Sequence, residues 1–341
     1  MLGLVRLRLD EATKFLFQPK YSVNMVDFGP RMRNGVYDWD NLVIRCHVTR
    51  KLSLDELAAL GITPVDQKFG EFDVDVIEGS YSAAPVWGGS PPPPLEPWNT
   101  RCDPLHGGTS ISATFSSGAG TLGAIVRDRT NGRPMILSNW HVLAKDAGRG
   151  QPIVNPGRLD RWPAPATIAA YDRHAMDSYL DAAVAYVGED VAWRNFQGGY
   201  GPVRGVAQPW LGQEVVKSGR TSHLTHGIVT GIGGLIKMSY RSRSSRRPLT
   251  YTLRTVVAID QRWPGSQLSM GGDSGSLYII EQTGEAIALH FAGMDHPERA
   301  LAVRLTAVQD ALGVDVVSDL ASLQPAGATP AFARNGVLAG A

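Results

Sequence analysis

Short apolar segments alternate with clusters of glycine, asparagine and proline through the later part of this chain, and that alternation restricts the fold more than any other feature. The segments are 121–127, 134–138, 182–187, 214–217, 227–231, 235–240, 250–258, 275–280 and 286–290. Many short strands at near-regular spacing predict a barrel or a sandwich. The 38 glycines and 22 prolines supply the turns that such a fold needs. Residues 305–312 read as a closing helix.

At 341 residues the chain exceeds the usual size of one domain. Residues 1–79 form a first block. Within it, 23–28 and 41–48 read as strands, and 72–77 alternates apolar and polar side chains as a half-buried strand does. Ser53 opens a short helix, with Glu56 at the capping-box position. The expectation is a small α+β domain of about four strands and one helix, with no catalytic cluster. Residues 80–105 read as a linker, stiffened by Pro91-Pro92-Pro93-Pro94. An SH3- or WW-type ligand is the alternative reading of that run. Residues 106–320 are the strand-rich block, and 321–341 reads as a mobile tail.

Several function classes find no support. The net charge of +1 gives no reason to expect nucleic acid or an anionic membrane as partner. The one basic run, Arg241 to Arg247, falls between two strands and reads as a solvated hairpin loop. No apolar run is long enough to cross a bilayer. Arg6, Arg8 and Asp10 interrupt the N-terminal stretch before any signal-peptide core, so the expected location is cytoplasmic. Two cysteines, Cys46 and Cys102, do not make a disulfide framework and read as lone thiols. The histidines show no zinc spacing, and no metal or cofactor is expected. His223 and His226 lie three apart in an expected turn without a carboxylate nearby.

Three segments carry chemistry. A strand runs into a histidine at Leu137-Ser-Asn-Trp-His141. An aspartate heads a strand at Leu180-Asp181-Ala182. A glycine-rich turn surrounds a serine at Gly271-Gly272-Asp273-Ser274-Gly275. A serine hydroxyl is a poor nucleophile at neutral pH and needs a base, for which a neutral imidazole is suited. The imidazole in turn needs a carboxylate to fix its tautomer and stabilise its charged form. The attacked carbonyl becomes an oxyanion, and each backbone donor aimed at it is worth about 2.7–4 kcal/mol. The glycines around Ser274 permit the tight turn that would aim the N–H groups of Gly272 and Ser274. The order His, Asp, Ser is that of the chymotrypsin-type arrangement, not of subtilisins or α/β-hydrolases. The hydrolase elbow G-x-S-x-G also fails, because its last position is Ser276.

On these segments the chain, over about residues 118–315, resembles the trypsin-like serine peptidases. More closely it is similar to the branch holding the plant narrow-leaf-type proteins and bacterial two-domain relatives. The further residues that carry this are Gly120-Thr-Leu-Gly123, Lys217-Ser-Gly-Arg220-Thr221, Thr225-His-Gly227 and Phe291-Ala-Gly293. The first block resembles that branch's N-terminal domain more loosely. Trp140 is a departure, expected to narrow the site near the base. The resemblance implies a mainly β fold, a double six-stranded β-barrel preceded by a small α+β domain. It implies His141 as base, Asp181 as its acid and Ser274 as nucleophile, acting on protein or peptide. It also implies assembly of identical copies through the N-terminal domain.

In this fold the specificity pocket is walled by the residues before the nucleophile and by the strand after it: Leu268, Ser269, His290, Phe291, Ala292 and Gly293. Leu268 stands where cleavage after Arg or Lys needs an acid, so that preference is not expected. Ser269 with His290 resembles glutamyl endopeptidases, since a hydroxyl and an imidazole can bind a carboxylate. A small or apolar preference, or a histidine with no specificity role, competes with that reading. Two other functions compete with an endopeptidase: a peptide-binding scaffold of low turnover, and an ester hydrolase sharing the acyl chemistry. The extended segment 85–105 is also a candidate to lie across the groove and hold the enzyme latent.

Overall fold

The computed structural model describes residues 2–83, 97–145, 148–160, 164–241, 248–295 and 298–318. The proline run, most of the basic run and the C-terminal tail lie outside the described residues.

Two closed barrels follow each other in the chain. In the first, Ser110–Ala113 pairs with Gly120–Thr121, which runs on into Ala124–Asp128. Pairing then passes to Pro134–Ser138, Ala183–Val187, Ala166–His174 and Pro152–Asn155. It returns to the start where Ile153 faces Ala113. In the second, Glu214–Gly219 pairs with Leu277–Ile280, and that strand with Glu285–Asp295. Glu298–Arg304, Leu249–Gln261 and His223–Tyr240 follow, and the last closes onto Glu214–Gly219 with Lys217 facing Thr225. Six staves close each ring, which is the mainly β, double-barrel architecture expected. Inward-facing Ile, Val, Leu and Ala fill both interiors. The helix Leu305–Leu312 forms where expected and packs Leu305, Val308 and Leu312 inward.

The expected break between 231 and 235 is not a turn. His223–Tyr240 is one strand whose register slips repeatedly between Val229 and Ile236. Glycine is required there for closeness of approach. A Cβ on Gly231 would lie 2.1 Å from an Asp27 carboxylate oxygen and 2.2 Å from Arg45. The glycine-rich stretch that reads as a turn is a strand thinned to admit a buried ion pair.

That ion pair comes from the first block, whose sheet is continuous with the second barrel. Val23–Arg33 pairs on one side with Val36–Val48 and on the other with the far half of His223–Tyr240, Met25 facing Ile236. Val36–Val48 then pairs in parallel with Phe72–Glu78. The capping box at Ser53 and Glu56 forms and opens Leu54–Ala59. A second helix, Leu2–Leu16, was not expected. Leu9, Ala12 and Leu16 face the strands while Asp10, Glu11 and Lys14 stay in water. Arg8 and Asp10, two of the charges that break up a signal-peptide pattern, belong to the polar face of an amphipathic helix.

The joint between block and barrel is polar. Arg45 donates to Asp27 at 2.7 Å with both side chains fully buried, and His47 Nε2 lies 3.2 Å from the same carboxylate. Desolvation pushes the Asp27 carboxyl up, but Arg45 and His47 outweigh it and hold it far below the usual range. Across the joint Arg299 donates to Asp260 at 2.7 Å, and the Tyr37 hydroxyl bonds both. No helix of the described residues is long and apolar enough to cross a membrane.

Two outcomes are expected. Heating the full chain in a calorimeter gives one cooperative transition for first block and second barrel together, and two separate transitions would contradict a shared sheet. Arg45→Met, which strands the Asp27 charge, lowers unfolding free energy by about 3–5 kcal/mol in urea titration.

Candidate active site

His141 and Asp181 meet. Pro134–Ser138 leads into the short helix Trp140–Leu143, which carries His141. The neighbouring strand Ala183–Val187 starts just after Asp181, and Ala183 faces Ser138. His141 Nδ1 lies 2.6 Å from Asp181 Oδ2, and the His141 backbone N–H reaches Oδ1 at 3.2 Å. Asn139 donates to the Asp181 carbonyl at 2.6 Å. Asp181 is fully buried, and the Tyr240 hydroxyl donates to its Oδ2 at 2.7 Å. A carboxylate accepts and cannot donate, so a ring proton sits on Nδ1, and the neutral imidazole in this tautomer carries its lone pair on Nε2. Among the described residues Nε2 is buried without a hydrogen-bond partner. The hydroxyl–imidazole bond to Ser274 is therefore not closed in this structure.

The Ser274 turn packs against segments that flank His141. The Ser274 carbonyl accepts from the Thr121 N–H at 2.8 Å. A Cβ on Gly120 would touch Val142, next to His141, at 2.5 Å and the Ser274 carbonyl at 3.1 Å. Gly275 sits so close to Ser138 that a Cβ would lie 2.1 Å from its hydroxyl. Gly272 and Gly275 adopt φ of 101° and 98°, which side-chain-bearing residues rarely reach. The N–H groups of Gly272 and Ser274 have no hydrogen-bond partner among the described residues.

The Ser274 turn is held by Asp273, a residue that sequence reasoning gave no role. Its buried carboxylate accepts from Lys217 Nζ at 3.1 Å, from the N–H groups of Met270, Thr221 and Ser222 at 2.8, 2.9 and 3.1 Å, and from the Ser222 hydroxyl. Desolvation alone would raise Asp273, but Lys217, Ser222 and the other donors prevail and hold it at about 2. Thr121 and Thr221 fasten the turn further through hydroxyl bonds to the Gly272 and Gly271 carbonyls, each 2.8 Å. The motifs around Gly120 and Lys217 supply these clamps. The signal was a lysine at an inward position of a strand, which is anomalous without a buried partner.

A cavity of about 140 Å³ opens beside Ser274, lined by Ser269, Gly271, His290, Ala292 and Gly293. Leu268 and Phe291, both expected there, do not line it. Both are fully buried in the barrel cores: alternation turns Phe291 away from the cleft between His290 and Ala292, and Leu268, in the loop between Leu249–Gln261 and Leu277–Ile280, packs against the second core. His290 is buried, and desolvation first and Lys217 second push its imidazole down to about 3, so it is neutral at physiological pH. Glu298 accepts the Ser269 N–H at 2.7 Å, which places a carboxylate beside the pocket. Trp140 does not narrow the cleft. It is buried and packs edge-on against Tyr240 and Tyr251, and Tyr240 in turn lies against the His141 ring.

The other histidine readings divide. His223 stacks on Trp98 with ring centroids 4.3 Å apart. His226 lies in a strand rather than a turn, and it does have a carboxylate near, Glu281 at 3.3 Å. Among the described residues no group of three or more His, Cys, Asp or Glu is placed to hold a metal ion. Both cysteines are free, and burial raises the Cys46 thiol to about 12.

No family model matches the chain, and no curated protein matches it. Solved structures resemble part of it. A glutamic acid specific serine protease, described as using a histidine triad in substrate binding, superposes with a TM-score of 0.46 at 16% identity, over 62% of this chain and 100% of the other. Thermobifida fusca protease A gives 0.44 at 13% identity over 63% and 100%. Cellulomonas bogoriensis chymotrypsin gives 0.44 at 16% identity over 63% and 100%.

The clamp on Asp273 has a measurable consequence. Lys217→Met lowers unfolding free energy by about 3–5 kcal/mol at pH 7, since it leaves a buried charge unpaired. In the wild type the depressed carboxyl contributes stability above the unfolded value near 4, and loses it as pH falls toward about 2. In the variant the bare carboxyl is easier to bury protonated. Urea titrations from pH 7 to pH 3 will therefore show the gap between the two proteins closing, and a gap independent of pH would refute the clamp.

Proposed function

We propose that the chain is a serine endopeptidase in which Ser274 attacks a peptide carbonyl, His141 takes its proton and Asp181 orients and stabilises the imidazolium. The observation that carries this reading is the state of His141. Asp181 fixes it through Nδ1, with Nε2 unpaired, and Gly120 separates Val142, the next residue, from the carbonyl of the tightly clamped Ser274 turn. In the first step the hydroxyl oxygen bonds to the carbonyl carbon while its proton passes to Nε2. In the second the imidazolium returns that proton to the leaving amine as the C–N bond breaks. Water then repeats the sequence on the acyl-enzyme. The free N–H groups of Gly272 and Ser274 are the donors for the oxyanion. A peptide-binding scaffold needs no such donor pair and no oriented base.

For the residue before the cut we favour a small uncharged side chain. The cavity is small, His290 is neutral, and Glu298 and Asp273 already place negative charge around it. A substrate carboxylate would have to bring a proton to His290 against that desolvation. The acidic preference that Ser269 and His290 suggest remains the second reading, because His290 Nδ1 is buried without a partner and would gain one.

A fluorophosphonate probe is expected to label the wild type and not Ser274→Ala. Absence of labelling in the wild type, and after trimming of residues 84–96 as well, argues for the scaffold. Casein degradation separates the peptidase from an ester hydrolase. In a peptide series varied only before the cut, kcat/KM after Ala or Ser exceeds that after Glu by about tenfold or more at pH 8, and the reverse order would establish the acidic preference.

A further inference from the structure

We infer that residues 79–82 of this chain are a built-in ligand of its own peptide groove, a strap that competes with substrate. The inference rests on the peptidase reading for what the groove does, but its geometry stands apart from it. Leu277–Ile280 leaves Glu285–Asp295 at Leu289, His290 still exchanges backbone bonds with Ser276 and Gly275 at 2.9 Å each, and from Phe291 onward that edge has no strand beside it among the described residues. Ser82 takes the place. Its N–H donates to the Gly293 carbonyl at 3.1 Å, and the Gly293 N–H donates to the Ser82 carbonyl at 3.2 Å, an antiparallel bridge. Ser80 and Ser82 line the same small cavity as Ser269, Ser274 and His290. Both backbone groups of Gly293 that an extended peptide would use on this edge are taken.

The strap is anchored on both sides of Ser80. Asn24 donates to the Gly79 carbonyl at 2.7 Å, and the Gly79 N–H donates to Val48 at 2.9 Å. The Tyr81 hydroxyl lies 2.6 Å from His47 Nδ1 and accepts from Arg299 at 3.4 Å. Gly79 has no room for a side chain, since a Cβ would meet the Tyr81 ring at 2.9 Å and its hydroxyl at 2.7 Å. The buried charges that join first block and second barrel thus also hold the segment over the groove. Ser82 itself is exposed and contributes only its backbone to the contact.

A tethered competitor lowers apparent substrate affinity by the fraction of time the groove is free. Ser82→Pro removes the donor to Gly293 without touching a buried side chain, and Tyr81→Phe keeps the anchor ring but loses its hydroxyl bonds. In the full chain Ser82→Pro is expected to raise kcat/KM for a short chromogenic peptide about tenfold or more, almost wholly through KM. Tyr81→Phe gives a smaller rise in the same direction. The same substitutions placed in Ser274→Ala make calorimetric binding of an uncleaved peptide tighter by the same factor. Unchanged KM and unchanged binding, with circular dichroism and melting as in wild type, would overturn the strap while leaving turnover, and so the peptidase reading, intact. Tighter binding with no turnover in any chain would keep the strap and remove the peptidase.

Discussion

Asp273 sits where both barrels and the Ser274 turn converge, and its charge organises all three. A carboxylate buried this deeply is stable only if its lone pairs are occupied and its charge is met. Lys217 meets the charge from an inward position on a barrel strand, and Ser222 with three backbone N–H groups occupies the remaining sites. Met270, three residues before Asp273, is among those donors, so the turn closes on itself around the charge. The next residue is then fixed in direction, with Thr121 of the first barrel holding its carbonyl. The serine owes its position to a pair of buried ions more than to its own contacts.

The same device recurs at the other joints. Asp27 with Arg45, Asp260 with Arg299 and Asp160 with Arg220 each link segments that lie apart in the chain. A glycine makes room beside two of the four carboxylates: Gly231 at Asp27 and Gly219 at Asp273, where a Cβ would come within 2.1 and 2.4 Å of oxygen. Apolar packing alone would fill such joints equally well. Ion pairs demand a particular register, which matters in sheets where a one-residue slip would turn every side chain over. Register fixed at these points carries through the strands to the cleft.

Much of this was legible in the sequence because the signals were local. Pro134–Ser138 and Leu305–Leu312 form where their patterns put them, and the capping box at Ser53 forms as read. His141 and Asp181 were paired from residue type and order, and they meet. What failed depended on contacts between distant residues. The glycines from 231 to 234 read as a turn because nothing local announces that Asp27 and Arg45 press against them. Leu2–Leu16 was missed because its short amphipathic pattern finds its apolar partner in strands further on. Leu268 and Phe291 were placed in the pocket by their distance from Ser274, while alternation with a bulge at 290–292 turns Phe291 inward and the loop carrying Leu268 folds it onto the second core. Lys217 carried a signal that was not used, an ammonium at a position patterned to be inside.

The first block has two jobs that its strands make inseparable. It extends the second barrel's sheet through Val23–Arg33 and Val36–Val48, and Phe72–Glu78 lies in parallel beside the latter. Parallel pairing sets where that strand ends, at Glu78 beside Val48. Gly79, Ser80 and Tyr81 then span the distance to the edge at Gly293, with both ends held by hydrogen bonds. A tether this short gives Ser82 a high effective concentration at Gly293, so even two ordinary hydrogen bonds compete well with a peptide arriving from solution. A longer connection, or an antiparallel placement ending the strand at its opposite side, would deliver the chain elsewhere. Closing the sheet and covering the groove are consequences of one strand direction.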